Sequence, residues 1–218
     1  MAPRPGFVLE VDGSTPPILF HHGEGFRLER LPVGRSRVIY PAEPLAGLKD
    51  PDSAIRHALE HPYDSDPLSA LLFAGMKLTI AFDDVSLPLP PMRRPDIRQR
   101  VIEAVLDAAA AAGVEDVELI AALALHRRMT EAELRHAVGD RVYDAFAPSG
   151  KLYNHDAEDP EGMVIIGTTP HGEDVQMNRR AAESDLLVYV NINLVSMDGG
   201  WKSTATGLSG YTALRTLW

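Results

Sequence analysis

The sequence predicts an α/β protein: a mainly parallel sheet with helices on both faces, preceded by a small β-rich N-terminal segment. Three observations support this. Short apolar runs broken by Gly and Pro fill the first 50 residues, apolar strand-like runs alternate with amphipathic helical stretches from Met76 onward, and polar residues cluster just after those runs. Period-two and period-3.6 patterns in alternation mark strand–helix–strand units, whose strands lie parallel and buried on both faces. The expected arrangement is Rossmann-like. It divides the chain into residues 1–75, a β-rich segment plus a helix packing on the main body, and residues 76–218, the α/β domain.

Taken in order, Phe7-Val8-Leu9-Glu10-Val11, Ile18-Leu19-Phe20 and Val38-Ile39-Tyr40 read as short strands bounded by turn residues. A helix follows from Pro51 to about Leu59, capped by Asp50 or Asp52 and stopped by Pro62. Lys77 to Phe82 is an apolar strand running into the loop Asp83-Asp84-Val85-Ser86-Leu87-Pro88. Ile97, Val101, Val105 and Ala108 form one stripe of a helix that Gly113 ends. Val117 to Ala121 is the next strand. Thr130 with Glu133 makes a capping box, opening a helix with Leu134, Val138, Val142 and Phe146 on one face. Two further strands are expected at Met163 to Ile166 and at Asp185 to Val190. Ligands of open parallel sheets sit outside the carboxyl ends of the strands. That rule selects the loops 83–88 and 125–129, the region after Gly167, and 191–202.

Composition excludes several functions. The 218 residues contain 21 Lys+Arg against 31 Asp+Glu, a net charge of −10 that repels phosphate backbones, so nucleic acid is not expected as a partner. There is no cysteine, hence no disulfide, thiolate zinc site or thiol catalysis, and His, Asp, Glu and Lys are left as the reactive groups. No apolar run approaches the roughly 18 residues of a membrane helix, and the first residues lack a signal peptide's apolar stretch. The chain reads as soluble and cytoplasmic, with no membrane partner.

Four groups of residues invite a chemical reading. His57-Ala58-Leu59-Glu60-His61 has the His-x-x-Glu-His spacing of a zinc hydrolase, although Pro62 leaves His61 in a final turn, and cations near a helix C-terminus are favoured by the dipole alone. His21-His22-Gly23-Glu24-Gly25 reads as a hairpin turn, and Gly207-Leu208-Ser209-Gly210-Tyr211 lacks the last glycine of a nucleophile elbow. The strand-end loops hold the richer set: Asp84, His126, Asn154-His155-Asp156 and Lys202. A carboxylate, two imidazoles and an amine from separate strand ends can supply an acid/base pair, a positioning group and a tethering or nucleophilic amine. Equally, Asp84 could cap a turn, His155 order a loop and Lys202 be solvated.

These same residues resemble the lactate racemase family, whose members carry a nickel-pincer nucleotide. The resemblance runs from about Leu78 to Trp218. The family's Asp-His-Thr-Arg-Pro loop is similar to Asp84-Val85-Ser86-Leu87-Pro88, and its Thr-His-Arg segment to Leu125-His126-Arg127 before the capped helix. Asn154-His155-Asp156 with Gly167-Thr168-Thr169 and Gly172 resembles its middle stretch, and Gly199-Gly200-Trp201-Lys202 with Thr206-Gly207 its Gly-Gly-x-Lys and following Pro-Gly. The resemblance implies a racemase or epimerase acting on a 2-hydroxy acid or related hydroxyl compound by reversible hydride transfer. It implies Lys202 as cofactor tether, Gly199, Gly200 and His155 as further cofactor-binding residues, His126 as acid/base and Asp84 as the group that orients the site.

The sequence also departs from the pattern. Leu87 stands where the family has the arginine that grips the substrate carboxylate, and Ile192, between Asn191 and Asn193, stands where an ungapped count puts the second acid/base histidine. The nickel-ligating histidine falls, by the same count, on Trp218, so no metal ligand is assigned within the chain. Family members are about twice as long, and the resemblance implies a C-terminal domain beyond this chain, without which turnover is not expected. The alternatives are a non-catalytic relative binding a nucleotide or small anion, and the zinc hydrolase of His57 and His61.

Overall fold

The computed structural model describes residues 8–40, 46–85, 92–192 and 200–215. The chain separates into two compact units, Met1–Lys49 and Asp50–Trp218. In the first, β1 (Val8–Glu10) pairs antiparallel with a later strand, while β2 (Ile18–His22) and β3 (Gly25–Glu29) form a hairpin turning at Gly23 and Glu24. The partner of β1 is β4 (Arg37–Ile39). The histidine–glycine run is therefore a hairpin tip, as its turn residues suggest. β3 adds a strand to the sequence reading, and the apolar–polar alternation of Phe26-Arg27-Leu28-Glu29 is the signal that marks it.

The second unit opens with α1 (Pro51–Glu60). Asp50 caps it by accepting the Ser53 N–H at 2.9 Å, and Pro51 occupies the first turn, where its missing N–H costs nothing. Then come α2 (Leu68–Leu71), β5 (Lys77–Asp83), α3 (Ile97–Ala111), β6 (Asp116–Ala122), α4 (Glu131–Val138), α5 (Asp140–Phe146), β7 (Leu152–Asn154), β8 (Met163–Thr168), β9 (Asp174–Asn178), α6 (Arg179–Ala182), β10 (Leu186–Val190), α7 (Gly200–Gly207) and α8 (Tyr211–Leu214). The main sheet has the order β10-β5-β6-β7 with every pair parallel. Side chains alternate across it, and each face has its own core. On one side Leu78, Ile80, Phe82, Leu119 and Ala121 meet Ile102, Val105 and Ala109 of α3 and Leu134, Val138 and Val142 of α4 and α5. On the other, Ala81, Ile120 and Ala122 meet Ala181 of α6 and Leu208 just after α7. The predicted α/β class with a parallel, doubly covered sheet is what the structure shows. No helix among the described residues is long and apolar enough to cross a membrane.

Three local expectations change. The buried line of α3 is Arg98, Ile102, Val105 and Ala109, one position on from most of the predicted stripe, and Ile97 is exposed. A buried ion pair turns the helix: Arg98 must reach Asp96, so a charged residue heads the inward face. The helix predicted through residue 146 is two helices, broken at Gly139 (φ 82°, ψ 159°), a conformation essentially closed to residues with a Cβ. Met163 to Ile166 does not join the main sheet. It pairs antiparallel with β9, leaving Ile165 and Ile166 exposed, and the fourth sheet strand is instead β7, whose three residues end in polar Asn154, with His155 next, and give no apolar run to recognise.

Candidate functional site

The carboxyl ends of the parallel strands bring the predicted residues to one edge. Asp84 leaves β5 immediately after Asp83, and the loop after β6 carries His126 back toward it. The His126 Nδ1 lies 2.9 Å from Asp84 Oδ2, with the carboxylate largely buried and the imidazole half exposed. A carboxylate accepts only, so this nitrogen bears the proton when it faces Asp84⁻, and Nε2 of the neutral ring is left as the base.

That loop is braced from several sides. Ala124 takes a left-handed φ of 52°, unusual for a residue with a Cβ, and its N–H donates to the Gly207 carbonyl at 3.1 Å. Asn154 spans from β7, accepting the Met129 N–H at 3.0 Å and donating to the Met129 carbonyl at 2.9 Å. Arg127 forks onto Glu133 at 2.7 and 2.9 Å, and Arg128 pairs with Asp156. The predicted capping box of Thr130 and Glu133 is present. The Arg127 guanidinium and then the Thr130 N–H hold the Glu133 carboxyl down to about 2. A depression of about 440 Å³ opens beside His126, lined also by Leu125, Arg128, Asp156 and Tyr211.

Sequence reasoning missed the groups beneath this pair. Arg98 is buried, donates twice to the Asp96 carboxylate at 3.0 and 2.8 Å, and sends Nη1 to the carbonyls of Asp83 and Asp84 at 2.7 and 3.2 Å. It therefore fixes the backbone from which Asp84 projects. The Asp83 carboxylate accepts the Ile192 N–H at 2.6 Å and the Tyr189 hydroxyl, and burial above all pushes its pKa up. The available signal was Asp96-Ile97-Arg98 at a helix start, an arginine two residues past a capping aspartate.

The remaining candidates are placed as follows. His155 is buried. Its Nε2 lies 2.9 Å from the Ser209 carbonyl and its Nδ1 3.3 Å from the Asn178 Nδ2, so Nε2–H donates, Nδ1 accepts, and burial lowers the ring's pKa. In this structure it ties β7 to β9 and the turn after α7, and Ser209 contributes a carbonyl there. Lys202 lies exposed in the first turn of α7, and at Gly200 (φ 58°) a Cβ would meet nothing within 4 Å among the described residues. Gly199 and Leu87 lie outside the described residues, as does Trp218. His57 and His61 stack at 4.2 Å at the C-terminal end of α1, where His61 is the capping residue with its Nδ1 directed at the His57 carbonyl. Among the described residues no three His, Asp or Glu side chains come together as a metal site.

Residues 23–217 match the family model described as the lactate racemase N-terminal domain. The chain belongs to this family. Two curated relatives are lactate racemases: one from Thermoanaerobacterium thermosaccharolyticum, 24% identical over 82% of this chain, and one from Lactiplantibacillus plantarum, 26% identical over 73%. The chain spans 44% and 36% of those proteins. The solved lactate racemase apoprotein from T. thermosaccharolyticum shares the fold, with a TM-score of 0.61 and 23% identity over 91% of this chain and 45% of that one.

Proposed function

We propose that this lactate racemase N-terminal domain is the cofactor-tethering part of a racemase or epimerase dependent on a nickel-pincer nucleotide, acting in the cytoplasm on a 2-hydroxy acid or related hydroxyl compound. The observation that carries the reading is the Asp84–His126 pair at neighbouring parallel strand ends, where this class of sheet holds its ligands.

The groups present suit the cofactor. Lys202 stands on an exposed first turn of α7 and would be the point of attachment, with Gly199 and Gly200 preceding it in sequence and His155 bound to the Ser209 carbonyl in the turn after α7. α7 ends at Gly207, whose carbonyl accepts from Ala124, two residues before His126. At 1.5 Å per residue the five residues from Lys202 to Gly207 span about 7.5 Å, so the amine's backbone lies along the same edge as the imidazole. When bound, the nickel-pincer nucleotide supplies a hydride acceptor and donor for the substrate's C–H bond.

The chain's own task is proton handling and orientation. His126 Nε2 takes the proton from the substrate hydroxyl and returns it in the reverse step. Asp84 holds the ring by Nδ1 and favours the imidazolium formed in between, the division of labour expected of a base and its orienting carboxylate. Arg98 keeps Asp84 in place from below. With Leu87 and Ile192 where the family has an arginine and a histidine, the substrate's anionic group and second proton donor must be met by other residues of this chain or by the C-terminal domain that the family's length implies.

Intact-mass analysis tests the reading. Full-length protein produced with the cofactor's biosynthetic enzymes should carry added mass and nickel, both lost in Lys202→Ala, and His126→Ala should keep the mass while turnover falls by about 10²–10⁴-fold. An unmodified Lys202 with no retained nickel would sink the assignment. Retained ligand binding with no turnover in wild-type protein would make it a non-catalytic relative.

A further inference from the structure

Gly207 has a structural demand on it that its place at the end of a helix does not explain. A Cβ there would lie 2.7 Å from the Tyr189 hydroxyl and 3.0 Å from the Ala122 Cβ. The end of α7 is thus pressed onto the tops of β10 and β6. The Tyr189 hydroxyl beneath it donates to Asp83, and Asp83 also accepts the Ile192 N–H at 2.6 Å, where the chain leaves β10 on its way to α7. Asp83 precedes Asp84, Asp84 holds His126, and the His126 loop returns to α7 through the bond from Ala124 N–H to the Gly207 carbonyl. The contacts close a ring: Asp83, Tyr189, Gly207, Ala124, His126, Asp84.

We propose that Asp83 and Tyr189 are a positioning pair that sets α7, and with it Lys202, against the loop bearing His126. The proposal deepens the functional reading above and rests on it for the roles of Lys202 and His126. The physical case is that one carboxylate serves two donors from β10. The first donor, Tyr189, is the surface on which α7 rests, and the second, Ile192, fixes the exit of the strand that leads to α7. An asparagine can make both contacts, Oδ1 accepting from Ile192 N–H and Nδ2 donating to the Tyr189 oxygen, whereas an alanine can make neither.

Because the chain has no cysteine, labels can be placed without background. Spin labels at Leu125→Cys and Trp201→Cys, both exposed, report the separation of the His126 loop from α7 by double electron–electron resonance. The parent should give one narrow distance. Tyr189→Phe and Asp83→Ala should broaden or shift it while thermal unfolding stays cooperative, and Asp83→Asn should restore the narrow peak. If Tyr189→Phe fails to fold, Gly207→Ala provides the same test, since its methyl must displace the Tyr189 hydroxyl. Distances that superimpose on the parent in either variant would overturn the proposal, as would an Asp83→Asn distribution as broad as that of Asp83→Ala. The labels report whether or not Lys202 ever carries a cofactor, so an unmodified lysine would undo the functional reading and leave this result standing.

Discussion

Replacing Arg98 by methionine should cost this domain more than any other single change near the site. The guanidinium and the Asp96 carboxylate are almost fully buried, and they meet through two bonds of 2.8 and 3.0 Å. Methionine keeps most of the apolar stem but removes the charge, leaving the buried Asp96 carboxylate with the Arg98 backbone N–H and His136 at 3.9 Å, and taking the Arg98 Nη1 bonds from the carbonyls of Asp83 and Asp84. Breaking a buried pair by removing one partner costs about 3–5 kcal/mol. For a domain of this size each kcal/mol lowers the melting temperature by about 2–4 °C, so the expected fall is about 6–20 °C. Urea unfolding followed by circular dichroism should show the same loss in free energy with an unchanged slope. The double variant Asp96→Leu/Arg98→Met should recover part of it, because the stranded charge is gone. A loss below about 1 kcal/mol in the single variant would refute the claim that this pair anchors the strand end.

Other outcomes follow from the same geometry. Burial lowers the pKa of His155, so folding favours its neutral form; stability should fall as pH drops below the ordinary histidine value near 6.5, and His155→Gln should flatten that slope in denaturation curves taken between pH 7 and 5. A steeper slope in the variant would mean the histidine is charged in the fold. Gly139→Ala must strain the backbone at φ 82° and push aside the Gln99 side chain, with an expected loss of about 1–3 kcal/mol by thermal denaturation; an unchanged melting temperature would show that the break between α4 and α5 is not imposed at this residue. Asp84→Asn in the full-length, cofactor-loaded enzyme should lower turnover by about 10²-fold or more and leave the added mass at Lys202 intact, and undiminished turnover would remove Asp84 from the proton-handling pair.

Much of this was legible along the chain. Asp50 and Pro51 start a helix wherever they stand before a helical stretch, Thr130 and Glu133 satisfy each other's backbone donors within four residues, and Leu78, Ile80 and Phe82 mark a buried strand. The ordered motifs at Asp84, His126, Asn154-His155-Asp156, Gly167 and Gly199 to Lys202 together carry the resemblance that the family match then established. The features that sequence reading missed share a cause. The buried side of α3 was set by Arg98 reaching a carboxylate and two carbonyls on another element, which no hydrophobic periodicity encodes. Met163 to Ile166 was apolar enough for the main sheet, yet a nearby partner in β9 claimed it, and the short polar β7 took the edge instead.

By itself, then, the sequence determined the local elements, the alternation that makes a parallel sheet, and the residue types available at its carboxyl edge, because caps, turns and burial patterns are interactions between near neighbours in the chain. Only the tertiary structure decided that His126 meets Asp84, that Arg98 and Asp83 lie beneath them, and that His155 turns inward. These depend on contacts between residues up to about a hundred positions apart, such as Ile192 with Asp83, and such contacts are chosen by which backbone and charged groups the packed strands leave to be satisfied.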